Sequence, residues 1–162
     1  MGQFLVVKTG KYFKMDELVA ALKVLQANVT VMYYKVHQYH WNVEGILFTQ
    51  YHEFFGDLYE DIYNSIDPIA ENQRKLGAYA PVSLDELFKY KTLKEEDKRV
   101  ELLSDILVSL IKANEEVLIS LNSVFDLATK HKKQGIANFV ADRIDTHEKH
   151  GWWLRASAKK VG

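Results

Sequence analysis

From Leu18 to Val36 apolar residues recur in alternating steps of four and three, at Leu18, Leu22, Leu25, Val29, Met32 and Val36. That rhythm follows the turn of an α-helix, so it lays one apolar stripe along a long helix and leaves the opposite side polar. The rhythm returns at Leu103, Ile106, Leu110, Ala113, Val117, Leu121, Val124 and Ala128. Two further stripes are Phe48, Tyr51, Phe55, Leu58, Ile62 and Ile69, and Ile136, Val140, Ile144, His147, Gly151 and Leu154. Four such stripes can leave water only by packing on one another. Just two prolines and eight glycines interrupt the 162 residues, and 48% of the chain is apolar, enough for a core of one domain's size.

Local signals place the boundaries. A first helix is predicted from Met15 or Asp16 to about Asn42, preceded by an extended arm over 1–13 and followed by a turn at Gly45. A second runs from Leu47 to Gly77; Pro68 lies inside it, and its missing N–H predicts a kink. Ser83, with Glu86 three residues on, is a capping-box pattern opening a short helix in SLDELFKY. A third long helix is predicted from Asp97 to Thr129, a break at HKKQG, and a fourth from Ile136 to Ala158. The connection over 78–97 is too long for a tight hairpin and can cross the bundle end to end. The expected fold is all-α: a single domain over 1–162, a ferritin-like four-helix bundle whose long crossover carries a short helix between helices two and three.

Composition removes several classes of function. The balance of 21 basic and 22 acidic residues, net charge −1, is not that of a protein coated in nucleic acid. Lys8, Lys11 and Lys14 make a weak basic arm, and Lys159 and Lys160 a weaker tail, read as solvated. There is no cysteine, hence no disulfide, thiol nucleophile or zinc-thiolate site. No apolar run approaches the ~18 residues of a membrane span. The opening MGQFLVVKTGKYFK lacks the basic start and cleavage site of a signal peptide, so a cytoplasmic location is expected.

The residues able to carry chemistry are His40, His52, Asp67 and Glu71. Measured from His52 at 100° per residue, Tyr63 lies at about 20°, Asp67 at about 60° and Glu71 at about 100°, so they share a stripe. Along the axis, however, His52 and Asp67 stand roughly 22 Å apart, which no single ion bridges. An antiparallel two-fold partner, crossing near Tyr59 to Tyr63, would bring His52 of one chain level with Asp67 and Glu71 of the other and create two identical sites. Imidazole with carboxylate and no sulfur suits iron or another hard-to-borderline divalent ion. Spacing alone leaves a plainer alternative open, with the histidines satisfied in a core or interface and the carboxylates facing solvent. His37 reads as an interface or surface residue, and His147 and His150 as structural, because HEKH places its second histidine one residue early for the zinc motif. Tyr33, Tyr34, Tyr39, Tyr59 and Tyr63 read as packing and interface residues, with Tyr63 placed to quench radicals near the site.

The segments KVHQYHWNVEG, FTQYH and DPIAE resemble the Dps miniferritins, whose pattern is K-x-H-x-x-H-W-x-x-x-G, then F-x-x-x-H, then D-x-x-A-E. The C-terminal EKHGWW is similar to that family's last helix. The resemblance implies a ferroxidase centre between two subunits, with His40 and His52 of one facing Asp67 and Glu71 of its mate. Trp41 would lie beside it as packing or as an electron donor. It implies oxidation of ferrous iron by hydrogen peroxide, ferric mineral stored in a hollow dodecamer built from two-fold dimers, and protection against oxidative damage. Zinc or manganese are the other ions such a site would take. The alternative is a DNA-binding or structural cage with a degraded metal site, though the charge balance leaves room only for weak contact with DNA. Departures from the pattern are Gly56, where the family has an Asp, Asn72 in place of an Arg, and Pro68 beside Asp67. His131, Lys132 and Lys133 stand where relatives carry an acidic iron funnel.

Overall fold

The computed structural model describes residues 10–159, with side chains from Met15 onward. Five helices follow in order: α1 Gly10–Asn42, α2 Phe48–Lys75, α3 Leu84–Phe88, α4 Leu103–Lys130 and α5 Gln134–Ala158. α1 and α2 form one antiparallel hairpin, α4 and α5 another, and α1 packs on α4 to join them. All six stripe residues of α1 are buried, as are Ile106, Leu110, Val117, Leu121 and Val124 of α4 and Val140 and Leu154 of α5. Each such side chain removed from water stabilises the fold by roughly 1.5–3 kcal/mol.

Three boundaries differ from the sequence reading. The arm expected over 1–13 is already helical from Gly10, and residues 1–9 lie outside those described. α5 starts at Gln134, slightly before the expected Ile136. The start expected at Asp97 falls instead at Leu103, and the reason is electrostatic. Lys35 of α1, only 6% exposed, reaches Glu96 at 2.7 Å, and Tyr39 and Ser109 donate to the same carboxylate oxygen. Burial pushes the Glu96 carboxyl up, but the three donors outweigh it and hold it below the usual carboxylate range. This anchor ties the chain across the bundle before the apolar stripe of α4 begins.

Asn28, fully buried in α1, secures the crossover a second time. Its Oδ1 accepts from the backbone N–H groups of Thr92 (2.9 Å) and Leu93 (3.0 Å), while its Nδ2 donates to Thr92 Oγ1 and Ser120 Oγ. Ser83 caps α3 as expected by accepting from Glu86 N–H, and Glu86 reaches back to Val82 N–H. α2 closes on a Schellman arrangement in which Ala78 N–H bonds Gln73 C=O across Gly77 at φ +86°. α4 ends the same way, with Lys133 N–H on Ala128 C=O and Lys132 taking the left-handed φ of +56°. Helix α2 continues through Pro68, and the carbonyl of Asn64 that loses its donor belongs to an exposed residue, so water can reach it.

His147 and His150 are buried, in keeping with a structural role. Arg143 makes a two-pronged bond to Asp61 of α2 at 3.1 and 2.8 Å. His147 Nδ1 pairs with Asn114 Oδ1 of α4 at 2.8 Å, and Asn114 Nδ2 donates to the His147 carbonyl. His150 Nε2 lies 3.4 Å from Asp61. A Cβ at Gly151 would sit 3.0 Å from Asn114 Nδ2, so glycine lets α5 approach α4 here. Burial drives both imidazoles neutral: His147 falls well below its ordinary value and His150 is pushed down to about 4, with Asp61 opposing.

Two outcomes follow. Asn28→Ala strands two backbone donors and is expected to cost roughly 3 kcal/mol in urea unfolding; an unchanged midpoint would remove Asn28 as the anchor. The unfolded chain protonates His150 near its ordinary 6.5, whereas the folded chain does so only near 4. Stability is therefore complete above the upper value and lost as pH falls through that window, by roughly 3 kcal/mol for this group. His150→Leu should flatten that loss in urea midpoints measured at successive pH values; an identical loss in the variant would show that the acid sensitivity lies elsewhere.

Candidate metal centre

The α1–α2 turn brings His40 and His52 into direct contact. Gly45, at φ +111°, reverses the chain, and Phe48 N–H bonds Gly45 C=O as α2 starts. His40 Nδ1 then lies 2.6 Å from the His52 carbonyl, and His52 Nδ1 lies 2.8 Å from the His40 carbonyl. A carbonyl can only accept, so both Nδ1 atoms must carry a proton, and Nε2 is left as the ring nitrogen able to bind a cation. The two rings stack with centroids 3.7 Å apart at 20°. This is how a protein readies histidine for a cation: the second nitrogen is fixed by a backbone acceptor and the ligating nitrogen is left open.

Gly56 supports the pair. A Cβ there would stand 3.4 Å from His40 Cε1 and 3.5 Å from its Nδ1, so the ring lies across bare backbone. The resemblance marked Gly56 only as a missing acid; its contact with His40 became visible in three dimensions.

Asp67 and Glu71 are exposed on the same helix as His52, and neither carboxylate bonds any described residue. The structure does not bring them to the histidines within one chain. Among the described residues no group of three or more His, Asp or Glu side chains is close enough to hold an ion.

Around the histidines lies a continuous set of rings. His37 stacks on Tyr59 with centroids 3.9 Å apart at 17°, lies 4.0 Å from Trp41 and bonds Tyr33 through its Nδ1 at 3.1 Å. Tyr59 is 5.2 Å from His40, and Tyr33 is 5.1 Å from Tyr63. Burial first, and the neighbouring His40 second, lower the pKa of His37. Trp41 is 53% exposed, with His37 and Tyr34 as its ring neighbours. Tyr34 and Tyr63 are likewise more than half exposed, so an aromatic face surrounds the histidine pair. Separate tyrosines and histidines were legible in the chain, but their mutual stacking was not, because it depends on how α1 and α2 face each other.

Four long helices, an anchored crossover and a histidine pair on an open face define a ferritin-like helical protein, and the description of a ferritin-like domain matches residues 19–161. The DNA protection during starvation protein of Helicobacter pylori is 30% identical over 135 residues, covering 83% of this chain and 94% of that protein. A low temperature-induced protein of Nostoc is 31% identical over 123 residues, covering 75% of this chain and 69% of its own. The fold matches the crystal structure of a Dps protein from Vibrio cholerae with a TM-score of 0.85 at 27% identity, over 98% of both chains. A Dps protein from Bacillus brevis gives 0.86 at 25% identity, over 94% of this chain and 100% of that one. The chain belongs to the Dps miniferritins, a family of iron storage and stress protection.

In α2, Gly56→Ala is expected to stabilise the helix by about 0.5–1 kcal/mol and to leave cobalt(II) binding intact, since the added methyl only touches His40. A drop in cobalt(II) affinity as large as that of His40→Ala, read by the metal's visible absorption, would show that the ring needs the bare backbone.

Proposed function

We propose that this protein oxidises ferrous iron with hydrogen peroxide at sites shared between two subunits and stores the ferric product as mineral inside a hollow dodecamer. The observation that carries the proposal is the reciprocal bonding of His40 and His52, which leaves both Nε2 atoms free on an open aromatic face. Ferrous iron is the substrate. His40 and His52 of one subunit bind it through Nε2, and Asp67 and Glu71 of the partner subunit supply oxygen donors. Neutral imidazoles admit the ion, while the carboxylates offset its charge and favour the ferric state over the ferrous. Peroxide accepts two electrons from two ferrous ions and, with two protons, leaves as two waters, so no hydroxyl radical is released when the electrons are matched. An aqueous setting such as the cytoplasm suits this chemistry, and no described helix is long and apolar enough to cross a membrane.

The rival reading as a DNA-binding cage gains little from the basic loop. Lys130 and His131 both bond Glu17, at 2.9 and 2.8 Å, so part of that charge is already answered within the chain.

A subunit-mixing experiment tests shared ownership. His52→Ala and Asp67→Asn are each expected to abolish ferric absorbance after anaerobic loading with ferrous ion and a peroxide pulse. Dissociated and reassembled together in equal amounts, they should recover about a quarter of the wild-type rate, because half the pairs are mixed and each mixed pair has one of its two sites intact. No recovery from a properly reassembled mixture would end the inter-subunit reading, and full activity of either variant alone would end the ferroxidase reading. Zinc and manganese in place of iron show whether the site discriminates among divalent ions.

A further inference from the structure

We propose that the cleft between the C-terminal end of α2 and the first turn of α5 binds a free tetrahedral oxyanion, phosphate or sulfate. The inference stands apart from the iron chemistry, since none of the residues it uses belongs to the candidate metal centre. The cleft holds a cavity of about 370 Å³. Every charged side chain lining it is a lysine: Lys75 from α2, and Lys132 and Lys133 from the turn before α5. No carboxylate answers these lysines among the described residues. Glu71 stands four residues before Lys75 without bonding it, and Glu17 is taken by Lys130 and His131.

Helix α5 adds an uncapped end to this cluster. Lys133 at its N-cap makes no side-chain cap, and no acidic residue occupies the first turn. The backbone N–H groups of Gln134, Gly135 and Ile136 donate to no described residue; the first N–H to find a carbonyl is that of Ala137, on Lys133. Aligned peptide dipoles concentrate positive potential at such an end, and free N–H groups there suit an anion. The approach is open, because a Cβ on Gly135 would meet nothing within 4 Å.

A bare helix end is common, and Asn72 sets this one apart. Its side chain is 3% exposed, yet it lines the cavity. Lys75 Nζ donates to Asn72 Oδ1 at 3.2 Å, which fixes which end of the amide is oxygen. The other end, Nδ2, donates to no described residue, and it is not among the atoms sealed off from solvent without a partner. It is therefore a donor held in the cavity wall with no acceptor, a costly arrangement that an anion in the cavity relieves. The ammonium groups, the helix end and Asn72 Nδ2 are all donors, so they fit an anion that carries no proton of its own. In a phosphodiester, carbon blocks some of the oxygens these donors would take, which favours the free ion.

Equilibrium dialysis of radiolabelled inorganic phosphate against the full-length, iron-free protein tests the site. Physiological salt screens diffuse attraction beyond about 8 Å. Saturable uptake of one phosphate per subunit is expected, displaced by sulfate but not by a short DNA duplex. Gln134→Glu puts a carboxylate on the helix end, which favours the helix but repels an anion. It should weaken phosphate binding roughly tenfold or more, while the thermal midpoint without phosphate holds or rises. Asn72→Asp keeps the shape and replaces the free N–H group with an oxygen, and should weaken binding as much. Lys75→Met should also weaken it, whereas Lys98→Met, at an exposed lysine outside the cavity, should leave it unchanged. Uptake that does not saturate, wild-type affinity in Gln134→Glu, or an equal loss in Lys98→Met overturns the proposal. Displacement by the duplex at matched phosphate concentration would assign the cleft to a nucleic-acid backbone and overturn the free-ion assignment.

Discussion

Two imidazoles that each donate to the other's backbone carbonyl lock the α1–α2 hairpin beside its turn. The lock does more than hold the helices together. His40 lies in the last turn of α1, where carbonyls lack intrahelical donors, and His52 lies in the second turn of α2, where its carbonyl takes the ring N–H on a second lone pair. Satisfying those carbonyls with ring N–H groups fixes the tautomer of both histidines and the rotation of both helices in one stroke. Slide α2 by one residue and the face turns by about 100°, so neither bond survives. The stacking of His37 on Tyr59 and the tilt of Trp41 over His37 depend on the same register. The chemistry and the fold at this end therefore have a single cause.

Elsewhere the apolar stripes supply most of the stabilisation but little of the alignment, since leucine and valine side chains slide past one another at small cost. Three polar groups, Asn28 buried and Glu96 and Asp61 half-buried, set the register instead. Asn28 and Glu96 each bind the crossover to α1, and Asp61 with Arg143 ties α2 to α5 beside His147 and His150. Such groups add little net energy over an apolar replacement, but leaving any one unpartnered is costly, so they penalise every alternative packing. The His147–His150 seam carries the largest such cost. Arg143 Nε and His150 Nδ1 have no partner among the described residues, and neutral imidazoles are the form this buried corner accepts.

The helices were legible because their stripes are long and regular, and the Ser83 cap because its signal is local. The start of α4 was not, because Glu96 is held by Lys35, a residue far away in the chain, and no window of sequence contains both. Likewise the first turns of α1 carry glycine and lysine in place of a clear cap, so its N-terminal limit was set too late. For the site, residue types and helical angles picked out His40, His52, Asp67 and Glu71. The pairing of the two histidines and the role of Gly56 as a floor for His40 needed the turn at Gly45 to be built first. Trp41 illustrates the limit from the other side: adjacency in sequence placed it next to His40, whereas in space its ring rests on His37.

A proposed two-fold pairing has an electrostatic consequence for the four candidate ligands. Asp67 and Glu71 are exposed and bond none of the described residues, while His40 and His52 have Nδ1 committed to carbonyls and Nε2 open. Bringing these faces together would take two carboxylates out of water, which is unfavourable without a cation to replace that water. A divalent ion would reverse the sign, because it would replace the water lost by the carboxylates. The aromatic surface around the histidines would supply the metal-independent part of such an association, since Tyr34, Trp41 and Tyr63 are exposed in the single chain. In such a pair the rings would hold the partners together and the ion would discharge the remaining penalty. Affinity for iron would then be set as much by the carboxylates' need for a counter-charge as by the histidines that receive it.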